Sequence, residues 1–227
     1  MLYHRVLEMG FGGNPLGIFD WHPTAREGSL TAEKQLDLVV KEIPPYVHYT
    51  GIDLVGRLSP QAMGRAYKGC TSFAHSTRTM LEAYQQDIAK HGRFRNFHLE
   101  NMDSRQTIYP SNRFDEVHLH WVLSDPTVSQ EDAISMVTEA KRVLRPGGSL
   151  IITGEKFRVE RRTNSLINVE SSTRAVLDRT NTSINGGLPE LSRSSLLSEQ
   201  VKQLYLHRFA AEDREIIQDA YLFISQN

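Results

Sequence analysis

Short apolar runs of strand length, alternating with stretches of helical period, restrict this chain more than any other feature. The runs are residues 2–8, 46–53, 94–100, 114–123 and 149–153. Over 31–43, Ala32, Leu36, Val39, Val40 and Ile43 share one helical face, Thr31 can cap the start and Glu33 suits the first turn. Over 76–90, Met80, Leu81, Tyr84 and Ile88 do the same. Over 129–144, Ser129 with Asp132 resembles a capping box, and Ala133, Met136, Val137, Ala140 and Leu144 form the apolar stripe. Arg145-Pro146-Gly147-Gly148 then stops the helix and turns the chain into the fifth run. This alternation predicts an α/β fold, a mostly parallel sheet with helices on both faces. The fourth and fifth runs are the most continuously apolar, as strands covered on both faces should be.

At 227 residues the chain suits a single domain spanning 1–227. The segment 163–195 is rich in Ser, Thr, Asn and Gly and includes Asn185-Gly186-Gly187; it reads as a mobile, lid-like segment with one or two short helices. Residues 191–205 have a helical pattern, and 206–211 with 220–225 read as a last pair of strands. Net charge is −1, which offers no general attraction to nucleic acid or to an anionic membrane. Cys70 is the only cysteine, so no internal disulfide forms. No apolar run approaches the ~20 residues needed to span a bilayer. Met1-Leu2-Tyr3-His4-Arg5 has no signal-peptide layout, and the expected location is cytoplasmic. The oligomeric state is open, a dimer included.

The first run ends as Leu7-Glu8-Met9-Gly10-Phe11-Gly12-Gly13-Asn14-Pro15. A glycine-rich turn after a strand lets a ligand approach the backbone. Glu8, two residues before the first glycine, would face a phosphate badly but suits an ammonium. Pro15 stands where a dinucleotide pattern needs its third glycine. The alternative reading is a tight structural turn. Asp53 ends the second run, followed by Leu54, and a carboxylate there can accept hydrogen bonds from two ribose hydroxyls. It stands 41 residues beyond Gly12 rather than the usual ~20, with the excess in an inserted loop, 14–30, that carries Phe19, Trp21 and His22. A strand-end turn residue is the other reading of Asp53. Met102 and Asp103 follow the third run, where an Asx turn is an equal alternative.

His118-Leu119-His120-Trp121 closes the fourth run, and ligands of open α/β sheets bind at that end. Alternation puts His118 and His120 on one face and Leu119 and Trp121 on the other. His-x-His on a strand can ligate zinc, but no third ligand has matching spacing, so no metal is expected. His120 is the candidate general base and cofactor contact, with a hydrogen-bonded structural histidine as the alternative. Lys156, Arg158, Arg161 and Arg162 are interleaved by Glu155 and Glu160 and read as a solvated charged face, with an anion- or RNA-facing edge as the alternative.

In this order, Leu7-Glu8-Met9-Gly10-Phe11-Gly12, Gly51-Ile52-Asp53 and Val143-Leu144-Arg145-Pro146-Gly147-Gly148 resemble the class I S-adenosylmethionine (SAM)-dependent methyltransferases. The resemblance implies a Rossmann-like sheet of seven strands, the last antiparallel, with SAM at the carboxyl ends of the first strands. It implies a cofactor set of Glu8, Gly10, Phe11, Gly12, Asp53, Leu54, Met102, Asp103 and His120. Met102 would lie against the adenine ring and Asp103 near its amino group. Phe19, Trp21, His22 and Trp121 are the candidate walls of the acceptor pocket. The Asp/Asn-Pro-Pro-Tyr box of many amino-group methyltransferases has no match in the fourth loop. The chain's opening also resembles tRNA guanine-N7 methyltransferases, whose basic Pro-Asp-Pro-Trp-Pro segment is not matched by Ser124-Asp125-Pro126. Methyl transfer to O or N of a small molecule is the expected function, since no long basic stripe favours a polynucleotide. The alternatives are an RNA methyltransferase and a catalytically silent SAM-fold partner subunit.

Overall fold

The computed structural model describes residues 3–12, 15, 31–54, 71–92, 96–120, 122–123, 125, 128–155, 157–160, 165–182 and 218–224. Eight strands lie among them: β1 (His4–Met9), β2 (Val47–Asp53), β3 (Phe97–Asn101), β4 (Phe114–His120), β5 (Leu144–Glu155), β6 (Phe157–Glu160), β7 (Ser165–Asn168) and β8 (Gln218–Ile224). The helices are α1 (Ala32–Glu42), α2 (Thr71–His91), α3 (Gln130–Val143) and α4 (Val169–Arg179).

The main sheet has the order β3-β2-β1-β4-β5-β8. β3, β2, β1, β4 and β5 are parallel, and β8 runs antiparallel to β5. Strand order therefore reverses between β1 and β4, and the carboxyl ends there form the crevice in which sheets of this kind bind ligands. Six strands of the expected seven lie among the described residues, with the antiparallel member at the edge.

Local chemistry accounts for the element ends. The Thr31 hydroxyl accepts the Lys34 N–H at the start of α1, and the Ser129 hydroxyl accepts the Asp132 N–H at the start of α3. Helix α2 begins at Thr71, five residues before the expected start, because no Gly or Pro intervenes to stop the helix propagating. β4 ends at His120 rather than reaching 123, because the chain turns there: Val122 carbonyl accepts the Asp125 N–H at 3.2 Å. β5 begins at Leu144, directly after α3, and its pairing with β4 is irregular between Phe114 and Glu116. Gly147, at φ +73°, lets the chain take that irregularity. The polar segment after β5 contains a strand that periodicity did not reveal, β7 paired antiparallel with β6, and then α4.

One sheet face is the apolar core. Leu7, Met9, Ile52, Val117, Leu119, Leu150 and Ile152 pack with Ala133, Val137 and Ala140 of α3 and with Val176 and Leu177 of α4. On the other face Tyr49 stacks on Phe97 at 5.1 Å, and Tyr84 of α2 meets Phe97 edge-on at 5.8 Å. That face also carries Glu8, Glu116, His118 and His120, all buried.

Candidate cofactor and acceptor site

The glycine turn after β1 is held by its neighbours in the sheet. Gly10 N–H donates to the Ile52 carbonyl at 2.7 Å, and Gly12 N–H donates to Asp53 Oδ2 at 2.8 Å. Gly10 sits at φ +80°, and a Cβ there would stand 2.5 Å from Val122 Cγ2. Gly12 sits at φ +58°, and none of the described residues comes within 4 Å of the Cβ position. The first glycine thus lets the loop after β4 close over the turn, and the second leaves its backbone clear of the other described residues, where a ligand can approach it.

Asp53 ties this turn to β2, and its carbonyl accepts the Met102 N–H at 3.0 Å, which ties in the loop after β3. The glycine turn, Asp53, Leu54 and Met102 are therefore joined at one sheet edge. Burial pushes the Asp53 carboxyl above its ordinary value of 3.8; the Gly12 and Leu54 N–H groups draw it part of the way back, and the charge of Asp125 raises it again. An edge that brings the carboxylates of Asp53 and Asp125 close enough to repel favours a cationic ligand.

The loop after β3 is fastened at two points. Asp103 accepts from Arg105 through Oδ1 (Nε at 2.9 Å, backbone N at 3.0 Å) and Oδ2 (Nη2 at 2.5 Å), and Arg105 Nη1 reaches Asp132 of α3 at 2.5 Å. The Asp103 side chain thus builds the turn. Glu139 of α3 accepts from Thr107 N and Oγ1, both at 2.7 Å, and Arg142 braces Glu139 and the Tyr109 carbonyl.

On β4, His118 and His120 share a face, and His118 Nδ1 lies 3.1 Å from His120 Nε2. His118 Nε2 lies 3.0 Å from Glu116 Oε2. Burial, and after it His118, holds the His120 imidazole well below its ordinary 6.5. Glu116 escaped attention in the sequence, although Glu-x-His-x-His at period two was there to be read. Tyr49, Val122 and Asp125 were also missed, since their roles arise from contacts across strands and loops. Phe19, Trp21 and His22 of the inserted loop, and Trp121, lie outside the described residues.

A methyltransferase-domain family matches residues 55–152. The match covers the loop after β3 and β4, and begins just beyond Asp53. The fold agrees with it. Geranyl diphosphate C-methyltransferase of Streptomyces coelicolor, solved with Mg2+, geranyl diphosphate and S-adenosyl-L-homocysteine, is 8% identical over 100% of this chain and 73% of its own, with a TM-score of 0.51. This is a class I SAM-dependent methyltransferase fold. Phosphoethanolamine N-methyltransferase 2 of Haemonchus contortus, solved with phosphomonomethylethanolamine and S-adenosylhomocysteine, shares the class I fold at 13% identity over 99% of this chain and 49% of its own, TM-score 0.52. So does the cyclase SpnF, at 12% identity over 98% and 75%, TM-score 0.50. A cyclase on the class I scaffold illustrates that the fold does not name the reaction. No curated protein sequence matches the chain. Among the described residues, no helix is long and apolar enough to cross a membrane and no group of His, Cys, Asp and Glu has the makings of a metal site.

Proposed function

We propose that the chain is a SAM-dependent methyltransferase that methylates O or N of a small molecule. The observation that carries this reading is the joint between the glycine turn and the strand-end acid, Gly12 N–H to Asp53 Oδ2 at 2.8 Å. It puts bare backbone and a carboxylate side by side, as a nucleoside with a cationic amino-acid tail requires. SAM supplies an activated methyl on a positive sulfur. The chain's own residues have the tasks of holding, aligning and drying. Gly10, Phe11 and Gly12 line the amino-acid end, and Glu8 lies buried beneath them as a negative group. Asp53 receives ribose hydroxyls, with Leu54 alongside. Met102 lies against the adenine ring, and Asp103 stands near its amino group. His120 faces the reacting centre as base. Phe19, Trp21, His22 and Trp121 complete the acceptor wall, and near-neutral charge favours a small acceptor over a polynucleotide.

Isothermal titration with SAM and with S-adenosylhomocysteine tests the cofactor; absence of heat with both, against tight NAD binding, rejects it. Incubation with labelled SAM and a cell extract tests the acceptor. Label in the metabolite fraction supports the proposal, and label in RNA transfers it to the RNA-methylating class.

A further inference from the structure

The line Glu116–His118–His120 occupies a place where apolar residues would be cheaper. His118 has no exposed surface and Glu116 is 1% exposed. Burying a carboxylate and two imidazoles carries a desolvation penalty that an apolar trio avoids. The residues follow one another at i, i+2 and i+4 along one face of β4, and they lead to the carboxyl edge where the ligand crevice opens.

We infer that Glu116 and His118 are positioning residues that fix the tautomer of His120 and relay its proton. The inference rests on the methyltransferase reading for its reaction, and on geometry alone for its proton positions. A carboxylate accepts and cannot donate, so the 3.0 Å contact to Glu116 puts a hydrogen on His118 Nε2. A neutral His118 then has its lone pair on Nδ1. Across 3.1 Å to His120 Nε2 the donor must be His120. Nδ1 of His120 is thereby the lone-pair nitrogen, the basic atom.

The step balances. The acceptor X–H gives its proton to His120 Nδ1 as the lone pair of X forms the X–C bond. The electron pair of the broken C–S bond stays on sulfur, which becomes a neutral thioether. The new charge on His120 is shared when its Nε2 proton moves to His118 Nδ1 and the His118 Nε2 proton moves toward Glu116.

The surroundings suit such a line. β1 is in register beside it, with Val6 opposite Glu116 and Glu8 opposite His118. Glu8 bonds Tyr49, and His4 Nε2 lies 3.2 Å from Glu116 Oε1. β5 sets Ser149 and Ile151 against Glu116 and His118, neither of them ionisable near neutrality. The titratable groups on the same sheet face beside this line are thus His4 and Glu8 of β1 and, one strand further, Tyr49 of β2.

Nitrogen-15 NMR of the histidine side chains in the ligand-free protein tests the proton positions without any reaction. At neutral pH the expected result is two neutral rings, each with its hydrogen on Nε2. A doubly protonated His118, or hydrogen on Nδ1 of His120, overturns the inference. Glu116→Gln, whose amide can donate, should give a mixed tautomer population at His120. It should lower kcat about 10- to 100-fold while leaving SAM affinity within twofold. An unchanged tautomer and unchanged kcat in that variant also overturn it. If SAM does not bind the wild type, the methyltransferase reading fails, while the NMR result still decides the proton positions.

Discussion

The Tyr49 phenol donates to the Glu8 carboxylate beneath the glycine turn, across the space that Gly51 leaves open. A Cβ at Gly51 would stand 2.8 Å from Tyr49 Oη and 2.8 Å from Leu99 Cδ2. Gly51→Ala should therefore cost about 1–3 kcal/mol in urea unfolding, the usual range for overpacking. Tyr49→Phe keeps the stack on Phe97 and deletes one donor to Glu8, and should cost about 1.5–3 kcal/mol. Because both substitutions act on one contact, the double variant should lose less than the sum. Strict additivity would mean that the two residues do not cooperate.

Gly10 and Gly12 should respond differently to alanine. Both have positive φ, worth roughly 1–2 kcal/mol of strain with a side chain. Only Gly10 also meets Val122 Cγ2 at 2.5 Å. Gly10→Ala should lower the melting temperature more than Gly12→Ala. Gly12→Ala should instead show itself in SAM titration, as weaker binding with a nearly wild-type fold.

Asp53 has a pH signature opposite to that of most carboxylates. Its folded value is raised, chiefly by burial, so its contribution to stability is complete below the ordinary 3.8 and is lost as pH rises through the folded value. Asp53→Asn removes that loss while its amide oxygen still accepts the Gly12 N–H. The variant should match wild type in melting temperature near pH 3.5 and exceed it at pH 7, yet bind SAM about 1–3 kcal/mol more weakly. Equal SAM affinity would remove Asp53 from the site.

Glu139 runs the other way. Burial raises its carboxyl, but the hydrogen bonds from Arg142 and Thr107 outweigh this and hold it below its ordinary 4.5. Its contribution is present above 4.5 and fades as pH falls through the lower folded value. Glu139→Gln should cost about 1–2 kcal/mol at pH 7, from weakened bonds to Thr107, and progressively less below pH 4. Amide hydrogen exchange in the loop 102–113 should rise with it. Unchanged exchange would show that the loop is held elsewhere.

Much of this protein is legible locally. Short apolar runs and helical periods placed the six strands of the main sheet and three helices, because burial leaves its mark on neighbouring residues. The glycines and acids at strand ends were legible for the same reason, since turns have strict residue demands. β7, the early start of α2 and the β5 irregularity were not legible, because pairing partners and propagation decide them. What only the tertiary structure decided is the strand order. With β1 between β2 and β4, Tyr49 comes under Glu8, Glu8 comes beside His118, and Gly12 reaches Asp53. Side-chain alternation names the face on which a residue lies; which strand lies next to it depends on how each crossover packs its helix, and that energy is set across the whole sheet.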